Sequence, residues 1–219
     1  LDGDSLYVAD TENHSIRRVD LNARVVTTVV GTGQQGSSRS HRPVPVRVDS
    51  KDRGKVTTEE REQDAARSQD SVTKRDAELN SPWDLCWHEG KLYIAMAGPH
   101  QIWVWNPQTD EVHAYAGSGR EDIEDGDLMS SAFAQPSGLA SDGEWLYVAD
   151  SEGSSIRAVP LIPEKEVWTV VGTADLDAGR LFEFGDVDGE NGKARLQHPL
   201  GVAWHKGAIY VADTYNNKI

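Results

Sequence analysis

Short apolar runs that alternate with polar turns occur along most of the chain and predict β-strands. The clearest run is a five-residue phrase, Leu-Tyr-Val-Ala-Asp in its commonest form, which occurs at 6–10, 92–96, 146–150 and 209–213. This run and its neighbours are rich in β-branched and aromatic residues and end at Gly, Pro, Asn or Asp, as strands do. Apolar residues at helical spacing do not extend over a useful length of the repeat. The pattern therefore predicts an all-β protein.

The spacing around this phrase is constant and indicates a repeated unit. A proline stands ten residues before each of the last three copies, an isoleucine stands ten residues after the start of every copy, and a glycine follows the first three copies at 25 or 26 residues. Constant internal spacing indicates that one supersecondary unit is stacked on copies of itself. Four short strands in about 40–45 residues correspond to one blade of a β-propeller.

Three kinds of residue recur at structural positions of this unit. They are an acid that ends the phrase, the proline, and a glycine two residues after the proline: Asp10, Asp150 and Asp213; Pro82, Pro136 and Pro199; Gly138 and Gly201. We expect each carboxylate to accept N–H groups of the turn that it opens. A ring of acids that binds a cation is the alternative, but the acids recur with the blade and not once per site, which favours the structural role.

The same residues resemble the NHL repeat, in the sequence Pro-x-Gly, then the phrase, then Asn-His-x-Ile. Longer matches, such as Pro136-Ser137-Gly138 with the preceding Phe133-Ala134-Gln135, are similar to a subfamily of NHL-repeat proteins. In that subfamily a thioredoxin-like domain precedes a six-bladed NHL propeller. The resemblance covers residues 1–36 and 79–219 and implies contacts with further blades and with a thioredoxin-like domain in a longer protein. The chain itself contains no thioredoxin-like region.

The units divide the chain into five parts. We predict a partial first blade at 1–36 (strands two to four), a charged insertion at 37–78, a second blade with its junction at 79–132, a third at 133–195, and a partial last blade at 196–219. Two whole blades and two partial ones are fewer than the four to eight blades that close a ring. We therefore expect an incomplete NHL-type β-propeller, an open arc of about three to four blades of the six that the resemblance implies, whose uncapped end blades promote association.

Composition separates the insertion from the blades. Residues 37–78 contain 10 of the 22 Lys and Arg residues and 9 of the 36 Asp and Glu residues, and no aromatic residue, Leu, Ile or Met. Such a segment is predicted to be disordered, because it cannot bury enough apolar surface to offset the loss of chain entropy. We expect that deletion of Ser37–Arg75 leaves solubility and β-sheet circular dichroism unchanged.

The remaining 177 residues carry 12 basic and 27 acidic side chains. Such a surface repels phosphate backbones and anionic membranes, so we expect neither nucleic acid nor a membrane as partner. The composition favours a soluble protein and slightly favours the cytoplasm, but it does not determine the compartment.

The sequence predicts no catalytic, cofactor or metal site. The acidic run at 185–192 departs from a calcium loop, because Gly189 is fourth and Gln197 twelfth from Asp186; a turn between blades is favoured over a metal site. His14 and His100 share an aligned slot that holds other residue types elsewhere and shows no metal pattern. We expect Cys86 to be a buried structural thiol that takes no part in any attached redox chemistry. The seven Trp residues are expected to fill space between blades and not to form a binding face.

These observations predict a non-catalytic binding or scaffold module without a cofactor, whose propeller face holds a protein partner or a small ligand. The alternative is a metal-dependent hydrolase or lyase of the six-bladed propeller type, which bound zinc or calcium would indicate. A purely structural spacer is a third interpretation.

Overall fold

The computed structural model describes residues 2–36, 72–73, 77–162, 164–173 and 183–219. These residues form β-strands joined by short turns and three single-turn 3₁₀ helices. The strands are β1 Ser5–Asp10, β2 Ser15–Asp20, β3 Val25–Val30, β4 Val72–Thr73, β5 Pro82–His88, β6 Lys91–Met96, β7 Gln101–Asn106, β8 Glu111–Ala116, β9 Pro136–Ser141, β10 Trp145–Asp150, β11 Ser155–Pro160, β12 Trp168–Val171, β13 Gly201–His205 and β14 Ala208–Ala212.

Four antiparallel sheets follow one another along the chain. The first blade is β1-β2-β3, the second is β5-β6-β7-β8 with β4 added to the edge of β8, the third is β9-β10-β11-β12, and the fourth is β13-β14. The first three blades are up-and-down meanders, because consecutive strands pair through tight turns, and the fourth is a single hairpin. This is the strand arrangement of a propeller blade.

Steric contacts explain why a glycine follows the last strand of a blade. In the first three blades the pairing of the last two strands is irregular directly after Ile16, Ile102 or Ile156. Gly31 and Gly117 follow at φ of 99° and 102°. A Cβ atom at Gly31 would lie 2.5 Å from the carbonyl oxygen of His14, so that only glycine fits this approach of two chain segments.

The blades pack face to face in sequence order. Strand β1 contacts β5, β5 contacts β9, and β9 contacts β13. One apolar cluster joins the first blade to the second and another joins the second to the third. Aromatic rings stack across two interfaces: Tyr7 lies on Trp87 with ring centroids 5.4 Å apart, and Tyr147 lies on Trp204 at 5.6 Å. Trp87, Trp105 and Trp204 thus fill space between blades, as predicted.

The prediction of an all-β, incomplete propeller in the form of an open arc is confirmed. The outer face of the first blade exposes Leu6 and Val8 by 37% and 38%, whereas the aligned Leu146 and Val148 of the third blade are fully buried. At the other end, Tyr210 of the fourth blade is 49% exposed. Both end blades therefore present side chains that interior blades bury against a neighbour.

Most of the predicted insertion lies outside the described residues, so its disorder stays a prediction. Two parts of it are described. Val72–Thr73 pairs with β8, and Ala77 is fully buried in the core beside Leu79, with its carbonyl accepting the N–H of Thr32. The packed part of the second blade therefore begins at Ala77, two residues earlier than the sequence indicates. Within the described residues no helix is long and apolar enough to cross a membrane.

Candidate functional site

One end of the arc contains the turns that follow the repeated five-residue phrase of each blade, at 10–15, 96–101, 150–155 and 213–218. The segments that lead into the innermost strands reach the same end. We call this surface the turn face. It contains the repeated Asp and Pro positions and both aligned histidines, so the candidate residues from the sequence are brought to one side of the molecule.

The repeated acids hold the segment that enters the innermost strand. Oδ1 of Asp150 accepts the N–H of Ala134 at 2.7 Å, and Oδ1 of Asp213 accepts the N–H of Gln197 at the same distance. The sequence predicted backbone N–H donors from the turn, but these donors belong to the segment before the proline; the turn contributes the side-chain amide of Asn216, which donates to Oδ2 of Asp213 at 2.7 Å. Asp10 instead accepts hydrogen bonds from the side chains of Asn13 and Arg17.

The third blade completes this arrangement with a buried ion pair. Nη1 of Arg157 lies 3.5 Å from Oδ2 of Asp150 and donates to the carbonyl of Ala132 at 2.7 Å, and Nη2 donates to the carbonyl of Glu124 and to Asp125. Both Arg157 and Asp150 are fully buried. Burial raises the pKa of Asp150, and Arg157 and the N–H of Ala134 oppose that rise.

The second blade replaces both members of this pair. Met96 and Trp103 occupy the positions of Asp150 and Arg157, and both are buried. Nε1 of Trp103 donates to the side chain of Gln101, so the large aromatic group has a polar partner. The matched replacement avoids leaving one charge buried without its counterion, which would be strongly destabilising.

The aligned histidine slot is an inter-blade hydrogen-bond acceptor. Nδ1 of His14 accepts the N–H of Ser81 at 3.2 Å, and Nδ1 of His100 accepts the N–H of Gln135 at 3.2 Å. In the third blade Oγ of Ser154 accepts the N–H of His198 at 3.2 Å. Each bond joins one blade to the residue that precedes the proline of the next.

The sequence analysis missed this role, because the slot varies in residue type. Its members share two properties that the sequence does show: a short side chain with an acceptor atom, and tolerance of the left-handed conformation. His14, His100, Ser154 and Asn217 all have φ between 47° and 55°.

The prolines and glycines fix the innermost strands. The carbonyl of Pro82 accepts the hydroxyl of Thr11 from the preceding blade at 2.7 Å. A Cβ atom at Gly138 would lie 2.6 Å from the carbonyl oxygen of Leu200. In the second blade Asp84 replaces this glycine, and its Oδ2 accepts the N–H of Leu139 at 2.8 Å. Burial raises the pKa of Asp84.

The remaining candidate residues lie in surroundings that favour a structural role. Cys86 is half-buried beside Tyr93, and burial, with a smaller effect of Asp84, raises the pKa of its thiol to about 11, which disfavours the reactive thiolate. In the acidic run, Asp186 pairs with Nζ of Lys218 at 2.6 Å, and the Gly185 carbonyl accepts the amide of Asn216. Across the described ranges, no group of three or more His, Cys, Asp or Glu residues is placed to hold a metal ion.

Two aromatic side chains on the turn face project into solvent. Trp83 is 45% exposed directly after Pro82, and Tyr215 is 59% exposed in the last turn. Tyr215 stacks on His198 with centroids 4.5 Å apart, and His198 lies 3.9 Å from the carboxylate of Glu152. Trp83 is an exception to the prediction that Trp residues fill space between blades, and so is Trp168, which is 43% exposed and contacts Trp145 of its own blade.

Comparison with known proteins identifies the repeat. No family model matches the chain. NHL repeat-containing protein 2 of Bos taurus is 40% identical over 241 residues, which cover 98% of this chain and 29% of that protein, and the Homo sapiens protein is 40% identical over 240 residues with the same coverage. The chain belongs to the NHL-repeat proteins. It spans less than a third of the length of these curated relatives.

Similarity extends to a plant protein and, in fold alone, to two bacterial proteins. Protein SUPPRESSOR OF QUENCHING 1, chloroplastic, of Arabidopsis thaliana is 38% identical over 98% of this chain and 18% of its own length. An auxiliary nutrient binding protein of Bacteroides thetaiotaomicron has a TM-score of 0.60 at 16% identity, covering 98% of this chain and 44% of that one. A protein of the same bacterium described as a candidate phosphatase has a TM-score of 0.56 at 16% identity and the same coverage. At such identities the likeness to this NHL-repeat chain is one of fold alone.

Proposed function

We propose that this NHL-repeat segment is a non-catalytic binding or scaffold module that holds a protein partner on its turn face. One observation carries the proposal: the recurring polar side chains of that face are hydrogen-bonded within the protein, while aromatic rings beside them project into solvent. Asp150, Asp213 and His100 each accept a backbone N–H, and Trp83 and Tyr215 are exposed. Exposed Trp and Tyr side chains are typical anchors of protein interfaces.

The groups with shifted pKa values support binding over catalysis. Asp84 and Asp150 have raised pKa values, as catalytic acids often do, but both carboxylates hold backbone N–H groups that keep the blades in place. The thiol of Cys86 stays protonated at neutral pH. The two carboxylates therefore have structural hydrogen bonds, and the thiol is not in its reactive form.

The charge of the blades supports a basic partner surface. Residues outside 37–78 carry 27 acids and 12 bases, and Glu12 and Glu152 lie in the turns of the face. An acidic surface accelerates encounter with a basic one and disfavours acidic competitors. In the longer protein we propose that further blades and a thioredoxin-like domain adjoin this segment, as the resemblance implies.

A capture experiment with the full-length protein tests the proposal. Trp83→Ala and Tyr215→Ala together should reduce the yield of at least one captured protein by about tenfold, because interface anchors each contribute more than about 1 kcal/mol. His205→Ala and Lys206→Ala, in a turn at the opposite end of the fourth blade, form the matched control and should leave the yield unchanged. Equal capture by both double variants would contradict the proposed face.

Metal analysis of the same protein tests the hydrolase or lyase alternative. One equivalent of zinc or calcium after purification, with loss of the fold on chelation, would favour that alternative. A metal-free protein with unchanged circular dichroism in chelator is the result that the binding module predicts.

A further inference from the structure

The outer part of the second blade contains a cavity of about 330 Å³ on the side that faces the third blade. It lies on β6, β7 and β8 and is covered by Leu128 and Met129 of the junction to the third blade. Ligand sites have volumes of about 300 Å³ upward, so this cavity fits a small molecule.

Two cross-strand rows form the cavity wall. Register places Lys91, Asn106 and Glu111 side by side at the rim, since Leu92 pairs with Trp105 and Asn106 pairs with Glu111. The next row on the same face, deeper in the cavity, is Tyr93, Val104 and His113. A cation, an amide and an anion thus stand in line above an apolar floor.

The charges of the rim are available to a ligand. Lys91 and Glu111 are exposed, and across the residues that the structure describes neither forms an ion pair. Strands are about 4.8 Å apart, so the two backbones are separated by about 10 Å, and a small dipolar ligand fits between the two charged groups.

A buried polar atom next to this row has no partner. Nδ1 of His113 is inaccessible to solvent and forms no hydrogen bond within the described part of the chain. Unsatisfied buried polar atoms are uncommon in native proteins and often mark a site where something binds. Burial lowers the pKa of His113, so its ring is neutral at pH 7 and can accept one hydrogen bond.

The aligned rows of the other blades lack this chemistry. In the first blade the corresponding rim row is Ser5, Asp20 and Val25, and in the third blade Trp145 pairs with Pro160. The line of cation, amide and anion is therefore a property of the second blade and not of the NHL repeat, which argues against a role in blade folding.

We propose that this cavity binds a free α-amino acid with an apolar side chain. The ligand carboxylate contacts Lys91 and the amide of Asn106, and its ammonium group donates to Glu111. The apolar side chain lies over Val104 against Leu128 and Met129. A purely anionic ligand is disfavoured by Glu111, a cation is disfavoured by Lys91, and a hydrocarbon would contact neither charge of the rim.

Calorimetric titration of the chain with L-leucine tests this proposal, and it is independent of the protein-binding function. We expect saturable binding with a Kd of about 1 mM or lower. Isocaproate, which lacks the ammonium group, isopentylamine, which lacks the carboxylate, and glycine, which lacks the side chain, should each bind at least about tenfold more weakly. Amide chemical shifts should move at 91–115 and 128–129.

Two exposed positions provide the decisive variants. Lys91→Met and Glu111→Gln should each weaken leucine binding at least about tenfold without changing circular dichroism, while Lys165→Met, which removes an exterior ion pair with Glu144, should bind leucine as the parent does. No saturable binding at about 10 mM leucine would overturn the proposal, as would unchanged affinity in both variants or equal affinity for isopentylamine. Capture of a protein on the turn face would be unaffected by either outcome.

Discussion

Nη1 of Arg157 lies 3.5 Å from Oδ2 of Asp150, and both side chains are fully buried in the third blade. The aligned pair of the first blade, Arg17 and Asp10, lies closer at 2.8 Å but keeps about 30% of each side chain exposed. The same interaction therefore occurs in two environments within one chain. Solvent screening weakens the exposed pair, and burial makes the loss of either partner in the other pair expensive.

Removal of the buried cation should be strongly destabilising. Arg157→Met should lower the free energy of unfolding by about 3–5 kcal/mol, because it leaves Asp150 buried without its counterion. Arg17→Met should lower it by less than about 1 kcal/mol. Urea unfolding of both variants measures the difference, and equal losses would contradict the assigned roles.

The second blade suggests a compensating exchange. The double substitution Asp150→Met and Arg157→Trp reproduces Met96 and Trp103, so it should cost about 2 kcal/mol less than the sum of the two single substitutions. Strict additivity in the same urea experiment would show that the two side chains do not act as a pair.

The imidazole of His100 should make stability depend on pH. Burial lowers the pKa of His100 below its ordinary value of 6.5, so the unfolded chain takes up a proton at a higher pH than the folded chain does. The contribution to stability is thus complete above about pH 6.5 and is lost as the pH falls below it, by at most about 1.4 kcal/mol per pH unit.

Substitution of His100 by Asn isolates this effect, since Asn217 occupies the aligned slot of the fourth blade in the same left-handed conformation. His100→Asn should flatten the decline of unfolding free energy between pH 7 and pH 5 in urea titrations. The pKa of His113 is also lowered, and its contribution remains in both proteins. A decline of the same steepness in the variant would contradict the assignment.

Two repeat glycines of the same motif should differ in their tolerance of substitution. A Cβ atom at Gly138 would lie 2.6 Å from the carbonyl oxygen of Leu200, whereas one at Gly201 would meet only Cβ of Ala212 at 3.5 Å. Gly138→Ala should cost about 1–3 kcal/mol through forced separation of the third and fourth blades. Gly201→Ala in this chain should change stability by less than about 0.5 kcal/mol. Thermal unfolding of both variants measures the two losses of stability. Equal losses would contradict the claim that the close approach of Gly138 to Leu200 requires glycine.

The strand pattern was predictable from sequence because it depends on local chemistry. β-branched runs such as Val25–Val30 form strands, and Gly31 is required by a left-handed turn that the 25-residue spacing repeats. The structural role of the repeated acids was expected from their recurrence, since Asp ends the phrase in three of the four blades.

The partners of those residues were not predictable, because they are set by packing between distant segments. His14 and Ser81 are 67 residues apart in sequence, and His100 and Gln135 are 35 apart. The left-handed turn that brings each pair together shows in the sequence only as a preference for short polar side chains. The rim row of the cavity likewise depends on strand register, which places Lys91 and Glu111 on one face although neither belongs to a motif.

The exposed end blades should cause self-association of this chain. Leu6 and Val8 are exposed where the third blade buries the aligned Leu146 and Val148, so we expect concentration-dependent oligomers in sedimentation experiments. Leu6→Lys with Val8→Lys should shift the chain toward monomer, whereas Val25→Lys with Val26→Lys on the outer strand should have a smaller effect. A monodisperse parent chain would contradict this expectation.

Site-specific photo-crosslinking tests the central claim most directly. A photoreactive amino acid is placed at Trp83 of the full-length protein, or at Lys206 in the control, and adducts are identified after irradiation in cells. The binding module predicts a defined protein adduct at position 83, lost when Tyr215→Ala is added, and no such adduct at position 206. Absence of any adduct at position 83, or the same adducts from both positions, would contradict a binding role for the turn face.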